Sequence, residues 1–296
     1  MPVPGTAHER FAMPLATTAE LLDEAVAARR GIAAFNVITI EYAEAILAGA
    51  EGAAAPVILS LSENATKFHA GDPRPIAAAM VKLAEGSDVR AALHLDHVQD
   101  LGLLHQSKDA GFSSVMFDAG HLAYVDNLEA TRKAADWAHA QDMIIEAELG
   151  YVGGKETQAA SAHAAGVRTD PEQAVEFVAQ TVVDALAVAV GSSHAMTSRT
   201  AVLDVDLIAR LDQAVSVPLV LHGSSGVSDA DLAAAIAAGM RKINIGTILS
   251  IAFSDSIKKG LSDDPNATDP RKYLGRARDN MAGVVTGLLR VISDRA

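Results

Sequence analysis

Eight short apolar runs, each followed by a segment with helical patterning, constrain the fold of this chain more than any other feature. The runs are rich in Ala, Val, Ile and Leu, and their length predicts buried strands rather than helices. They cover roughly residues 32–37, 56–61, 91–96, 114–118, 143–148, 185–190, 218–221 and 242–245. Eight such βα units in 296 residues predict an α/β protein with a single (β/α)8 TIM barrel. A doubly wound open sheet is the competing arrangement.

The ends of the chain add helices to this pattern. A helix is predicted at about 18–30, ahead of the first strand, with Thr17 or Thr18 as its cap, and further helices follow the last strand. Because no change in composition marks a linker, residues 1–296 are predicted to form one domain with an extra N-terminal helix and a C-terminal helical extension. The loop at 150–169 is long for a βα connection, which is typical of functional lids.

Composition and charge exclude several classes of function. A net charge of −13 without a run of Lys or Arg argues against a nucleic-acid partner. The chain has no Cys, so a metal would have to bind His, Asp or Glu, and disulfides and Cys nucleophiles are excluded. The N-terminus lacks the pattern of a signal peptide, and the apolar runs are too short to span a bilayer. We therefore expect a cytoplasmic protein with no membrane partner.

Polar side chains follow the apolar runs at the points where the predicted strands end. Three of them are His97, His194 and His222, after the third, sixth and seventh strands. In a barrel these strand ends meet at one mouth, which holds the active site. One His in such a place is more often structural, but three favour a zinc site with three histidine ligands and an open coordination position. Other polar residues at strand ends are Asn36, Ser62, Asp96, Asp118, Glu148 and Asn244.

The segment His94–His97 joins a predicted metal ligand to a predicted acid/base group. Asp96 directly precedes His97, so a carboxylate would lie beside the metal. Strict strand alternation would point the two side chains to opposite faces. We therefore expect the strand to end here and its backbone to turn, with His94 supporting the strand. Asp118 and Glu148 would hold imidazole N–H groups or form a second metal position.

Two glycine-containing turns follow the seventh and eighth strands, where barrels of this kind usually bind phosphate. The first is His222-Gly223-Ser224-Ser225-Gly226, and the second is Asn244-Ile245-Gly246-Thr247. Such turns are common in proteins, so their position is the informative feature. They predict how an acidic protein could bind an anionic substrate. On the long loop, Glu156 is either a solvated charge or a base that loop closure carries into the site.

Together these motifs resemble the class II, zinc-dependent ketose-bisphosphate aldolases, which include fructose- and tagatose-bisphosphate aldolases. The resemblance covers almost the whole chain. It rests on Ala34-Phe35-Asn36-Val37, His94-Leu95-Asp96-His97, Glu146-Ala147-Glu148-Leu149-Gly150 with Gly153-Gly154, Thr169-Asp170-Pro171-Glu172, Gly191-Ser192-Ser193-His194, Leu221-His222-Gly223-Ser224-Ser225-Gly226, Lys242-Ile243-Asn244-Ile245 and Asp269-Pro270-Arg271-Lys272-Tyr273-Leu274.

The resemblance implies a role for each predicted site residue. His97, His194 and His222 match zinc ligands. Asp96 matches the acid that exchanges a proton with the C4 oxygen, and Glu156 matches the loop base. Asp118 and Glu148 match carboxylates near alternative metal positions, so a second cation, monovalent or divalent, could bind. The residues that match contacts to dihydroxyacetone phosphate are Asn36, Ser62, Gly223, Ser224, Ser225, Asn244, Ile245, Gly246 and Thr247.

The implied activity is reversible cleavage of a ketose 1,6-bisphosphate, as in glycolysis, by a homodimer or homotetramer. Lys242 on the last strand could form a Schiff base, but the His triad makes that mechanism redundant. Many relatives have Gly where this chain has Ala195, and Gly246 replaces an Asp of fructose-type members or an Ala of tagatose-type members. These differences leave the sugar open. The alternatives are an aldolase for another phosphorylated sugar or sugar acid, a non-catalytic phosphosugar-binding subunit, and a zinc hydrolase.

Overall fold

Eight parallel strands close into a barrel in the computed structural model of the chain, which describes residues 15–150 and 168–294. Each strand pairs with its neighbours in sequence, and the last pairs with the first. The predicted barrel is confirmed, and an open sheet is excluded because no strand edge remains unpaired. The strands are β1 (Ile32–Asn36), β2 (Val57–Ser62), β3 (Ala91–Val98), β4 (Ser114–Phe117), β5 (Ile144–Leu149), β6 (Ala185–Val188), β7 (Leu219–Leu221) and β8 (Met240–Ile245).

Helices surround the barrel and supply the predicted additions at both ends of the chain. Within the described residues they are α1 (Thr18–Ala27), α2 (Ile40–Ala53), α3 (Glu63–Phe68), α4 (Arg74–Glu85), α5 (Leu101–Gln106), α6 (Tyr124–Ala140), α7 (Pro171–Thr181), α8 (Val205–Ala214), α9 (Asp229–Ala238), α10 (Thr247–Asp263) and α11 (Pro270–Ser293). Helix α3 was not predicted, because six residues are too few to show helical periodicity. None of these helices is long and apolar enough to cross a membrane.

Helix α1 closes the end of the barrel where the strands begin. Thr17 caps it through a capping box, in which its hydroxyl accepts from the Glu20 N–H and the Glu20 carboxylate accepts from the Thr17 N–H. The buried face of α1, with Leu21 and Leu22, packs against apolar residues inside the barrel such as Ile58. Since this end is filled with side chains, the barrel is accessible from the opposite end, where the strands finish.

Helices α10 and α11 form the C-terminal extension, and α11 packs along α2. The two helix backbones approach closely because α2 has a glycine at the crossing: a Cβ on Gly49 would lie 2.6 Å from the Cβ of Val285. Val285 and Leu289 of α11 are fully buried by this contact. The extension therefore completes the outer layer of the barrel beside α2.

Candidate active site

A bulge in β3 brings Asp96 and His97 to the same side of the sheet. Leu95 pairs with Val115 of β4, but the next pair is Val98 with Phe117, so β3 has one extra residue at this point. His97 takes up the irregularity in a left-handed conformation with φ of 51°. The strand continues to Val98, so the expectation that it would end at His97 was wrong. The bulge, rather than a strand end, turns both side chains towards the cavity.

The three predicted histidines lie together at the carboxyl ends of β3, β6 and β7. One ring nitrogen from each of His97, His194 and His222 lies within 4.8 Å of the other two. The shortest separation, between His97 Nε2 and His222 Nδ1, is 3.1 Å. Two nitrogen ligands on a tetrahedral zinc ion lie about 3.3–3.4 Å apart, since each Zn–N bond is about 2.0–2.1 Å. The His97–His222 pair is therefore close to this spacing, and the three rings together could hold a metal ion.

Buried carboxylates hold the outer nitrogens of two of these rings. Asp118 Oδ2 lies 3.2 Å from His97 Nδ1, and Glu146 Oε1 lies 2.9 Å from His222 Nε2. An ionised carboxylate only accepts hydrogen bonds, so each ring donates its N–H to its acid. The two nitrogens that face each other at 3.1 Å then both carry lone pairs, which repel unless a cation lies between them. This donor set fits a divalent metal with imidazole ligands and carboxylates behind them.

Asp96 lies beside the cluster as a buried carboxylate. Only 1% of its surface is exposed, and its Oδ1 accepts a 3.5 Å hydrogen bond from Asn244 Nδ2. Burial opposes ionisation of Asp96, but the imidazoles of His97, His94 and His222 together hold its pKa well below the usual range. Asp96 is therefore ionised at neutral pH and can accept a proton from a substrate.

Glu146 was missed as a site residue by sequence reasoning. Burial alone would raise its pKa, but the ammonium of Lys242 and the imidazole of His222 lower it to about 2. A signal for it existed in the sequence: Glu146 and Glu148 are two residues apart on one strand, so they point to the same face. Glu148 is also buried, and its Oε2 lies 3.8 Å from His222 Nδ1. Two buried carboxylates therefore flank the His222 ring, Glu146 at Nε2 and Glu148 near Nδ1.

Most of the predicted site residues line one cavity of about 820 Å³ at this mouth of the barrel. The predicted residues in its walls are Asn36, Ser62, Asp96, His97, Asp118, His194, His222, Gly223, Ser225, Asn244, Ile245, Gly246 and Thr247. Glu148 and Ser224 do not line it; the hydroxyl of Ser224 donates to the carbonyl of Asn244 instead. Glu156 lies outside the described residues. The cavity also has walls that sequence reasoning did not identify, from α3 and its flanks, including Asn64, Lys67 and Phe68.

The two predicted turns lie next to each other in this wall. Gly223 adopts φ of 66°, and a Cβ there would lie 2.5 Å from the carbonyl oxygen of Ser193, so only glycine fits without strain. The Ser225 hydroxyl accepts from the N–H of Ile248, which joins the first turn to the start of α10. Thr247 is the first residue of that helix, and its N-terminus faces the cavity. A helix N-terminus with exposed amides is suited to an anionic group.

Known proteins are similar to this chain over nearly its full length. The family model described as fructose-bisphosphate aldolase class-II matches residues 16–295. A fructose-bisphosphate aldolase of Geobacillus stearothermophilus is 36% identical over 281 residues, which is 94% of this chain and 96% of that relative. The crystal structure of the YdjI aldolase from Escherichia coli superimposes with a TM-score of 0.81 at 32% identity, covering 95% of this chain and 98% of that one. A fructose-bisphosphate aldolase structure from Campylobacter jejuni, at 21% identity and a TM-score of 0.80, shares the fold and covers 95% of this chain and 96% of that one.

Proposed function

Because the chain belongs to the class II fructose-bisphosphate aldolase family and is an aldehyde-lyase, we propose that it cleaves a ketose 1,6-bisphosphate reversibly and with zinc. The products are dihydroxyacetone phosphate and glyceraldehyde 3-phosphate. The observation that carries this proposal is the cluster of His97, His194 and His222 with the ionised carboxylate of Asp96 in the same cavity wall.

Zinc held by the three histidines would supply Lewis-acid stabilisation of the negative charge that develops when the C3–C4 bond breaks. Asp96 accepts the proton of the C4 hydroxyl during cleavage and returns it during condensation. Its lowered pKa means that the carboxylate is ionised at neutral pH, which is the form that accepts a proton. Lys242 needs no Schiff base in this mechanism, and its ammonium is already bound to Glu146 at 2.7 Å.

The phosphate of the substrate half that becomes dihydroxyacetone phosphate binds at the two turns that follow β7 and β8. Gly223, Ser225, Gly246 and Thr247 line the cavity at the N-terminus of α10, where backbone amides could bind the phosphate, and Asn36 and Ser62 also line it. Glu156, outside the described residues, would protonate the carbon next to the carbonyl after the long loop closes. Asp118 and Glu148 are the candidates for holding a second cation.

Two sugars fit this proposal, and fructose 1,6-bisphosphate ranks first because the Geobacillus stearothermophilus relative is a fructose-bisphosphate aldolase. Tagatose 1,6-bisphosphate, its C4 epimer, remains the second candidate. Gly246 offers no side chain to distinguish the two. A preference would therefore have to come from other walls of the cavity.

The experiment that tests the proposed function is a cleavage assay on both sugars with the purified protein. Release of dihydroxyacetone phosphate is measured before and after EDTA treatment, and again after zinc is restored. We expect cleavage of at least one bisphosphate, loss of activity with EDTA, and recovery with zinc. Activity that survives removal of all divalent metal would refute the zinc mechanism, and failure to cleave either sugar in the zinc-loaded protein would refute the substrate.

The same proposal includes a cytoplasmic homodimer or homotetramer. The absence of Cys from the 296 residues suits a reducing compartment. The multimer rests on the resemblance to the family. Light scattering during size-exclusion chromatography distinguishes a dimer or tetramer from a monomer of 30.7 kDa.

A further inference from the structure

A line of buried polar side chains runs through the barrel beneath the histidine cluster. It consists of Glu146, Lys242, His94, Ser114 and Thr18, each no more than 3% exposed. Glu146 contacts His222 at the upper end, and Thr18 belongs to α1 at the closed end. None of these side chains lines the cavity, so the line is not a ligand site. Its contact with His222 points to a role in the metal centre.

The two oxygens of Glu146 have different partners. Oε2 accepts a 2.7 Å hydrogen bond from the Lys242 ammonium, and Oε1 lies 2.9 Å from Nε2 of His222. Because the ionised acid can only accept, His222 must carry its proton on Nε2. Its Nδ1 then has a free lone pair, and this is the nitrogen that lies 3.1 Å from His97 Nε2.

A second contact favours the opposite arrangement of the His222 proton. Nδ2 of Asn244 lies 3.2 Å from the same Nε2. An amide NH2 group can only donate, so by itself Asn244 would stabilise a lone pair on Nε2 and a proton on Nδ1. That tautomer could not bind a metal through Nδ1. Glu148 Oε2, 3.8 Å from Nδ1, acts in the same direction as Asn244 but is beyond hydrogen-bond distance. The 2.9 Å contact with the Glu146 carboxylate therefore decides the tautomer.

Lys242 is held in place by acceptors. Its Nζ lies 3.4 Å from His94 Nε2, in addition to its bond with Glu146. His94 Nδ1 is 2.7 Å from Ser114 Oγ, and Ser114 donates its hydroxyl proton to Thr18 Oγ1 at 2.7 Å. Ser114 can therefore only accept from His94, so His94 carries its proton on Nδ1 and its Nε2 can accept from Lys242. Asp96 Oδ1 also lies near this Nε2, but at 3.6 Å it is beyond hydrogen-bond distance. Without this cation, Glu146 would be an unpaired buried charge.

We propose that Glu146 and Lys242 are a positioning pair, in which Glu146 fixes the tautomer of His222 and the ammonium of Lys242 holds the Glu146 carboxylate in place. His222 thereby presents Nδ1 to a divalent cation. The inference rests on the metal site of the proposed function. Neither residue reaches the cavity, so neither is a catalytic residue.

The first test needs no substitution. In metal-free protein labelled with ¹⁵N at histidine, NMR of the ring nitrogens reports which one carries the proton, and a His222→Gln variant assigns the signals by their loss. We expect the Nε2–H tautomer at His222 at neutral pH. An Nδ1–H ring in the wild-type protein overturns the proposal.

The second test removes both charges together, so that no buried charge is left without its partner. Zinc affinity is measured by competition with a chromophoric chelator in wild type and in the Glu146→Leu/Lys242→Met variant. We expect the variant to bind zinc about 10–100-fold more weakly, as found when partners behind metal ligands are removed. Its His222 ring should shift towards the Nδ1–H tautomer under the influence of Asn244.

A matched control acts at the other end of the same line. Thr18→Val/Ser114→Ala removes buried hydrogen bonds without touching Glu146, so stability should fall while zinc affinity and the His222 tautomer stay at their wild-type values. A folded Glu146→Leu/Lys242→Met variant with wild-type affinity and tautomer overturns the inference. If the wild type itself binds no zinc, the proposed function fails, and the tautomer measurement still decides the positioning role.

Discussion

Two residues in left-handed backbone conformations lie at two of the three proposed histidine ligands. His97 has φ of 51° in the β3 bulge, and Ala195, directly after His194, has φ of 56°. A residue with a Cβ is strained by roughly 1–2 kcal/mol in this region. At His97 the site needs the imidazole, so the strain accompanies function. At position 195 the side chain is a single methyl group, and glycine would adopt the same conformation without strain.

The first prediction follows from this strain. Ala195→Gly should stabilise the metal-free protein by up to about 1 kcal/mol, because relief of the left-handed strain exceeds the entropy cost of glycine, about 0.5–1 kcal/mol. Urea denaturation measures the change. Ala233→Gly, at an exposed position of helix α9, is the control and should lose about 1 kcal/mol. Equal losses in both variants would show that Ala195 is unstrained.

The second prediction concerns Asp96. Asp96→Asn keeps the size of the side chain and its contact with Asn244 but cannot accept the C4 proton. Turnover should fall by about 10²–10⁴-fold, the usual contribution of general acid–base catalysis. Zinc content, measured by mass spectrometry of the purified protein, should remain at the wild-type level. Near-normal turnover in this variant would remove Asp96 from the mechanism.

At the scale of elements, α2 and α11 cross at two glycines of α2, of which Gly49 makes the closer approach. A Cβ on Gly49 would lie 2.6 Å from Val285 and 2.7 Å from the carbonyl oxygen of Ala282. These distances are shorter than side chains tolerate, and one of the neighbours is backbone. The two helices would therefore have to separate to admit even alanine.

The third prediction tests this crossing. Gly49→Ala should lower the free energy of unfolding by about 1–3 kcal/mol, the usual cost of overpacking. Gly283→Ala is the matched control: it lies in α11, and a Cβ there meets nothing within 4 Å. That variant should gain about 0.5–1 kcal/mol, since only the helix propensity changes. A stability gain in both variants would contradict the close crossing.

Another element, α3, is tied to the strand that carries Asp96. The Glu63 carboxylate accepts hydrogen bonds from the N–H groups of Gln99 and Asp100, at 2.7 and 3.1 Å, and binds Lys67 at 2.7 Å. Burial raises the pKa of Glu63, but these donors outweigh it and lower the pKa below the usual value. The carboxylate thus stabilises the cavity wall formed by α3.

The fourth prediction is a pH dependence. Because the folded-state pKa of Glu63 is lowered, its stabilisation is complete above the unfolded value of 4.5 and is lost as the pH falls through the folded value. Glu63→Gln should therefore cost about 1–3 kcal/mol at pH 7, and the difference from wild type should shrink below pH 4.5. Urea titrations at several pH values measure it. Glu85→Gln, at a half-exposed residue paired with Lys82, should show little effect at any pH.

At the scale of the whole molecule, the barrel joins residues that are far apart in sequence. His97, His194 and His222 come from three different strands or the turns that follow them, so a bound ion would link β3, β6 and β7. Such an ion binds the folded barrel, whereas the unfolded chain has no preformed site. Metal binding is thereby coupled to the stability of the entire barrel.

The fifth prediction follows from this coupling. Zinc at a hundredfold excess over its Kd should stabilise the protein by about 2.7 kcal/mol, and EDTA should reverse the effect. The measurement is the thermal midpoint with zinc, with EDTA, and after zinc is restored. His222→Gln should abolish the zinc-dependent difference. A midpoint that zinc does not move in the wild-type protein would contradict a metal site built from these strands.

Much of the architecture and several site residues could be predicted because their signals are local. Apolar runs, helix caps and the polar residues at strand ends identified the barrel, the three histidines and Asp96. The β3 bulge could not be predicted, since it depends on how β3 pairs with β4. The bond from the Ser224 hydroxyl to the carbonyl of Asn244 on β8 could not be predicted either, since it joins residues 20 positions apart.

By itself, then, the sequence determined which residues end each strand and therefore which side chains could meet at the mouth of the barrel. Its alternation and capping signals act over a few residues, which is enough to locate the end of each strand. Only the tertiary structure decided the partners: that Glu146 lies behind His222, that Lys242 pairs with Glu146, and that Asp96 and His97 share one face. The reason is physical, because strand register and the packing of the barrel interior are set by contacts between residues far apart in sequence, such as Ile32 and Lys242, which are 210 positions apart.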